Sequence, residues 1–463
     1  MAERRAARVF AVSAAALGLA AGLFASSFAQ AQSLIRDTEI EEILHEQADP
    51  IFQAAGLEPK DVEILIVNDK ELNAFATQGQ IIGLHTGLIL ETKTPNQLNG
   101  VIAHETGHLA GGHTVRGGEM MRAGLKPFIL SMGLGVLAAF AGQPGAGAAL
   151  MASSGQFGTL GALGYSRVQE GAADQAGATY LEKAGQSGKG LVEFFNSYRY
   201  QEVFSEARRY AYFRSHPLSA DRIGRLQSRV SKSPHHSVAD SPEAIAKHAL
   251  MKAKLEAFLN PAQQTFVKYK EKDTSFPARY ARAIAYYRGS EPDKALKAVD
   301  ALLQEQPANP YLWELKGQIL FENGRVKEAE APHRKSVELK PTASLLRVNL
   351  AQTLLAIDTK ARGDEAIAEL DRALLLENDN SFAWRLLSQA YDAKGDDGRA
   401  RLAAAEAHFA LRDEEQARIF AMRAREKLEK GSPQWRRATD IVLASDPSKD
   451  DLEAIGESRR SAR

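Results

Sequence analysis

The sequence predicts an α+β domain followed by an all-α domain of stacked helical repeats, and three observations predict it. From Leu34 to about Val230, strand-like and helical patterns alternate among many glycines. From about Ser241 onward the chain is rich in Ala, Leu, Glu and Arg and reads as helix throughout. Within that second part, Ala283, Tyr286, Ala295 and Pro307 recur as Gly317, Leu320, Ala329 and Pro341, each displaced by 34 residues. That is the length and the small/large/small/Pro pattern of the tetratricopeptide (TPR) repeat.

The whole chain has 463 residues, 44% hydrophobic and 25% charged, with 58 Lys+Arg against 58 Asp+Glu. This profile excludes wholesale disorder, collagen and a multispan transporter. A balanced charge lacks the basic surplus of a nucleic-acid binder, so nucleic acid is not an expected partner. There is no cysteine, so stability must come from packing or from metal.

The first 31 residues read as an export signal. Arg4, Arg5 and Arg8 precede an uncharged apolar run from Val9 to Ala25, and Ala29-Gln30-Ala31 is a small-x-small cleavage site. The competing reading is a single anchor helix, which needs about 20 apolar residues. The expected location is the periplasm, with cleavage after Ala31. The mature chain then divides into residues 32–230, a Ser- and Pro-containing linker at 231–242, and residues 243–463.

In the first domain, Ile40 to Phe52 is predicted as helix, Glu63 to Val67 as a buried strand, and Asn73 to Leu84 as strands broken near Gln78-Gly79. The next helix has a clear start: Thr94 caps it, Pro95 takes the first helical position, and Gln97 completes a capping box. Leu98, Val101, Ile102 and Leu109 give it one apolar face.

On this helix stands His104-Glu105-Thr106-Gly107-His108, an HExxH motif. Imidazoles four residues apart project from one helical face and can reach a single Zn²⁺, with Glu105 angled to take a proton from water there. A third ligand must come from elsewhere. One HExxH class places a His six residues after the second ligand, but that position is Thr114 and His113 is one early. The better candidate lies in Ser166 to Asp174: Ser166 and Gln169 make another capping box, and Glu170 and Asp174 share a helical face. Glu170 closes a His₂Glu site with an open fourth position; a solvated acidic face is the alternative.

The ordered set of Asn73-Ala74-Phe75-Ala76, Gly83 to Leu88, HExxH, Ser166-Arg-x-x-Glu170-x-x-Ala-Asp174, and Ser215-His216-Pro217 with Arg222-Ile223 resembles the CAAX-prenyl-protease/heat-shock-protease type of zinc endopeptidase. The resemblance implies a zincin-like metalloprotease domain over residues 34 to 230, with one zinc per chain held at His104, His108 and Glu170, Glu105 as the catalytic glutamate, and Asp174 supporting the site, in that family often as a proton donor. His216 resembles a histidine that fills the open zinc position in periplasmic, repeat-carrying members and holds the enzyme off. His216 and Arg222 are also candidates for an oxyanion partner, and His216 for a plain surface histidine. An extended substrate is expected along an edge strand within Asn73 to Leu84.

Residues 127–151 carry an apolar run interrupted at Gln143-Pro144-Gly145 and too short to span a bilayer. They read as a mobile lid, as a hairpin in peripheral contact with a membrane, or as a buried helix pair. In the repeat domain, Trp313 and Trp384 mark further repeats with an insertion of about three residues between Ala351 and Ala366, and residues 414–435 close the stack. TPR repeats imply a concave groove for protein partners. Together with the resemblance, they give two expectations: an endopeptidase for misassembled envelope proteins recruited to the outer-membrane assembly machinery, or a chaperone-like scaffold with a shut or structural zinc site.

Overall fold

The computed structural model describes residues 34–113, 167–199, 212 and 216–460. Residues 1–31, the run at 127–151, Ser166 and Ser215 lie outside them. Among the described residues the packing makes two compact units, one from 34–36 and 48–239, the other from 37–47 and 240–460. No helix of the described residues is long and apolar enough to cross a membrane.

In chain order the first unit contains β1 (Leu34–Ile35), α1 (Thr38–Ala54, whose first half counts with the second unit), β2 (Glu63–Val67), β3 (Ala74–Thr77), β4 (Ile81–His85), α2 (Thr86–Glu91) and α3 (Pro95–Ala110). A helical run at 167–183 (α4), α5 (Lys189–Arg199) and α6 (Ala220–Ser231) complete it. The sheet order is β1-β2-β4-β3, with β2 and β4 parallel and the outer pairs antiparallel. Gly79 (φ 87°) and Gln80 (φ 59°) turn β3 back onto β4. β4 is therefore interior, so among the described residues the stretch Asn73 to Leu84 reaches the edge of the sheet through β3 and not through β4.

The start of α3 is built as its sequence suggests, with one difference. Thr94 Oγ1 accepts from Gln97 N at 3.2 Å, but the Gln97 side chain reaches past the cap and accepts from Lys93 N at 2.9 Å. Leu98, Val101 and Ile102 are fully buried, whereas Leu109 near the helix end is only partly so. Asn96 anchors the first turn to the strand of chain leading into α5, donating to Ser187 O (2.7 Å) and accepting from Gly190 N (2.6 Å).

The second unit continues with α7 (Pro242–Leu259), α8 (Ala262–Lys268), α9 (Phe276–Arg288), α10 (Pro292–Glu305), α11 (Pro310–Glu322), α12 (Val326–Leu339), α13 (Ser344–Ile357), α14 (Gly363–Leu376), α15 (Ser381–Ala393), α16 (Asp397–Ala410), α17 (Glu414–Arg425), α18 (Pro433–Ala444) and α19 (Lys449–Arg460). The small residues of the period sit at the helix crossings: Ala283, Ala295 and Ala329 are fully buried, and a Cβ on Gly317 would collide with the His333 ring. The repeat is also visible in hydrogen bonding. Trp313, Arg347 and Trp384, equivalent positions of three repeats, each donate a side-chain N–H to the carbonyl six residues earlier, at Pro307, Pro341 and Asn378.

Residues 37–47 pack into this unit through charged pairs, buried at Lys254 and more exposed at Glu42 and Glu46. Lys254 Nζ lies 2.8 Å from Asp37 and 2.9 Å from Glu39, and Tyr280 donates to Glu39 at 3.0 Å. Glu42 takes Lys340 and the Tyr311 hydroxyl, and Glu46 takes Lys247. Burial pushes the nearby Glu314 carboxyl up to about 7; Lys254 and the donor Asn349 oppose this, while Asp37 and Glu39 add to it. A carboxyl raised in the fold keeps a proton that the unfolded chain releases above about 4.5, so its contribution to stability declines as pH rises from there through 7. Glu314→Gln should therefore flatten the pH dependence of repeat unfolding across that window and stabilise the repeats at pH 8. Helical ellipticity in urea titrations at pH 5, 6.5 and 8 measures this.

Candidate metal centre

Two helices carry the candidate ligands, and their backbones meet closely. A Cβ on Gly107 would lie 2.7 Å from Ala173 O, and one on Gly177 would lie 2.9 Å from Ala103 O. Only glycine permits this approach of α3 to α4, and the approach sets His104 and His108 against Glu170 and Asp174. The i, i+4 spacing then places Glu170 and Asp174 on the inner face of α4, 4% and 1% exposed. The solvated acidic face is thereby excluded.

His104 Nε2 and His108 Nε2 are 3.2 Å apart, and His216 Nδ1 is 3.3 Å from His104 Nε2. Glu170 faces all three, with oxygens 3.4 Å from His104 Nε2, 3.3 Å from His108 Nε2 and 3.1 Å from His216 Nδ1. A tetrahedral ion bound at 2.0–2.2 Å sets its ligands roughly 3.3–3.6 Å apart. The five separations, 3.1–3.4 Å, lie close to that edge, and the four buried side chains, with one ligand atom from each all within 4.8 Å of one another, form a set that can hold one metal ion. Burial disfavours a charged imidazole, yet hydrogen bonds to Asp174 and Glu170 push His104 up to about 9. Burial likewise raises the Glu170 carboxyl, but the three imidazoles hold it well below the usual carboxylate range.

Glu105 is fully buried beside this set, 3.6 Å from His216 Nε2, and neither of its oxygens has a hydrogen-bond partner among the described residues. An uncompensated buried carboxylate is costly.

Asp174 stands behind His104 rather than in front of it. Its Oδ1 lies 2.9 Å from His104 Nδ1, the nitrogen facing away from the other ligands. Arg222 grips the same carboxylate at 2.5 and 2.9 Å, and also reaches Glu170 Oε2 (2.9 Å) and Pro217 O (2.8 Å). Against the effect of burial, Arg222 and His104 hold Asp174 below its ordinary value. Such partners fix a ligand imidazole's tautomer and orientation. Arg222 is thus spoken for by two carboxylates and one carbonyl. His113, one position early for a ligand, instead brings Nδ1 to 3.0 Å from His108 Nδ1, again the far side of the ring. The sequence offered no sign of this contact beyond an unused histidine one turn past the motif.

Residues 35–230 match Peptidase family M48, and residues 280–344 match the tetratricopeptide repeat. The first part of the chain is an M48 peptidase domain, TPR repeats follow it, and the protein is a metalloprotease. Its relatives narrow the comparison. It is 25% identical over 376 residues to the beta-barrel assembly-enhancing protease of Escherichia coli (strain K12), spanning 80% of this chain and 76% of that protein. The Yersinia pestis protein of the same name is 24% identical, over 71% and 68%. Metalloprotease LoiP of Escherichia coli is 32% identical over 166 residues, 35% of this chain and 60% of that one. Among solved structures, the TPR protein YrrB covers 37% of this chain and 89% of its own, at 19% identity and a TM-score of 0.31.

Because the ligand set depends on helix approach, Gly107→Ala should weaken metal binding on the order of 10- to 100-fold, the cost typical of losing a ligand's supporting partner, although it removes no ligand. Competition with a chromophoric chelator measures this. An unchanged affinity would show that the helices can part without moving the ligands.

Proposed function

We propose that this protein is an exported, periplasmic zinc endopeptidase that cleaves misfolded or misassembled outer-membrane proteins, with the repeats recruiting protein partners in the assembly machinery. The converging four-residue ligand set beside the buried Glu105 supports the chemistry most directly. The repeats and the similarity to beta-barrel assembly-enhancing proteases support the setting. The protease domain in this reading is residues 32–230, with the linker at 231–242 and the repeat domain at 243–463.

His104, His108 and Glu170 are the residues we assign to the metal. Zinc bound there supplies a Lewis acid that acidifies water and polarises the scissile carbonyl. Glu105 accepts the proton from the attacking water and delivers it to the leaving nitrogen. Asp174 we read as holding His104 in place, through Nδ1 and with Arg222 behind it, rather than as the proton donor. β3 supplies the sheet edge along which an extended substrate can add as a strand.

His216 is the fourth ligand in this reading. Four protein ligands make a closed site of the structural kind, so the imidazole must leave before water can enter. The same closed site favours a second reading, a scaffold in which the repeats carry the biological work. The two separate on Glu105→Gln, which should keep one zinc per chain and abolish peptide hydrolysis; retention of in-cell function by this variant would establish the scaffold. Glu170→Ala should lose zinc by elemental analysis, and full occupancy would overturn the ligand assignment. His216→Ala should keep most of its zinc and raise basal cleavage.

A further inference from the structure

We propose that Tyr212 is a positioning residue for the metal centre, whose ring, stacked on the His216 imidazole, sets how firmly that imidazole is held among the ligands. The inference rests on the reading of His216 as a fourth ligand. His216 meets the other two histidines edge-on, with ring centroids 5.1 Å from both His104 and His108. Its stacking partner is Tyr212, at 4.7 Å and 29°. Tyr212 is itself fully buried and fixed on several sides. Phe194 meets its ring edge-on at 6.0 Å, its backbone N–H donates to Leu72 O at 3.2 Å, and its carbonyl accepts from His216 N–H at 2.8 Å.

These contacts give the pair one geometry. The backbone bond fixes the distance from Tyr212 to His216 along the chain, the Leu72 bond ties Tyr212 to the chain entering β3, and the stack fixes the plane of the imidazole. With the plane fixed, Nδ1 points at Glu170 and His104, and Nε2 at Glu105. An imidazole leaving the ligand set has to break the stack, so the ring biases the equilibrium between closed and open sites. Its share is the preference of one aromatic pair, worth roughly 2- to 10-fold in that equilibrium.

The test uses the full chain loaded with cobalt(II), whose visible bands weaken when a four-coordinate site admits water as a fifth ligand, and it also times cobalt loss to EDTA. Tyr212→Leu, or Tyr212→Met if the leucine chain does not fold, should weaken the bands and speed cobalt loss roughly 2- to 10-fold. Tyr212→Phe keeps the ring and should match the wild type in both. In the His216→Ala background, the Tyr212 substitution should add nothing further, because it acts through the imidazole. Unchanged bands and loss rate in Tyr212→Leu, a Phe variant that behaves like Leu, or additive effects in the double variant would each overturn the inference. If His216→Ala itself alters neither readout, the fourth-ligand reading falls and takes this inference with it; if it alters both while Tyr212→Leu alters neither, Tyr212 alone is refuted.

Discussion

The metal centre depends on how near one helix backbone can come to another. Ligand atoms about 3.3 Å apart leave little slack, because the side chains that carry them are short and their helices must pack almost backbone to backbone. Gly107 and Gly177, each facing a carbonyl of the opposite helix, meet that condition. Capping and anchoring at Thr94 and Asn96 then fix where along its axis α3 presents the two histidines. Each side chain of the set is in turn held from behind: His104 by Asp174, His108 by His113, His216 by its stacked neighbour, and Asp174 by Arg222. The pocket is thus a set of ligands whose orientations are decided one layer further out.

That outer layer explains the distribution of charge. Three buried carboxylates and a buried guanidinium lie within one cluster with four imidazoles, an arrangement that is costly where a member lacks a partner. Glu105 is the exception, with no hydrogen-bond partner for either oxygen among the described residues. A carboxylate saturated with protein donors is a poor base, whereas one kept dry and unsatisfied has its lone pairs available for water.

How much of this was legible in the sequence follows the distance over which each feature is encoded. The start of α3, the i, i+4 pairs on α3 and α4, and the 34-residue period are local patterns, written in spacing and capping chemistry. The pairing of Arg222 with Asp174 joins residues 48 apart, so it needed the fold. The same holds for His113: its spacing argued against a ligand, but only the curl of the chain after α3 shows that it meets the back of His108. β4 read as a strand like its neighbour, and sheet order, which places it inside, is a non-local property. The sequence reads Ile40 to Phe52 as a helix, and nothing near it in the chain announces the lysines and tyrosines that receive the acidic side chains at 37–47.

That last feature bears on the order in which the molecule comes into being. Glu39 and Tyr280 are 241 residues apart, and Glu42 and Tyr311 are 269 apart. A chain made from its N-terminus presents this acidic segment early, while the groups that receive it follow between Lys247 and Lys340. Until then the segment stays in water, and contacts of such long range form slowly. The HExxH helix and Glu170 are complete long before. The helices that carry the HExxH motif and Glu170 are therefore synthesised before the repeat residues that receive this segment, and a chain that stops short of Tyr311 and Lys340 leaves Glu42 without either of these partners.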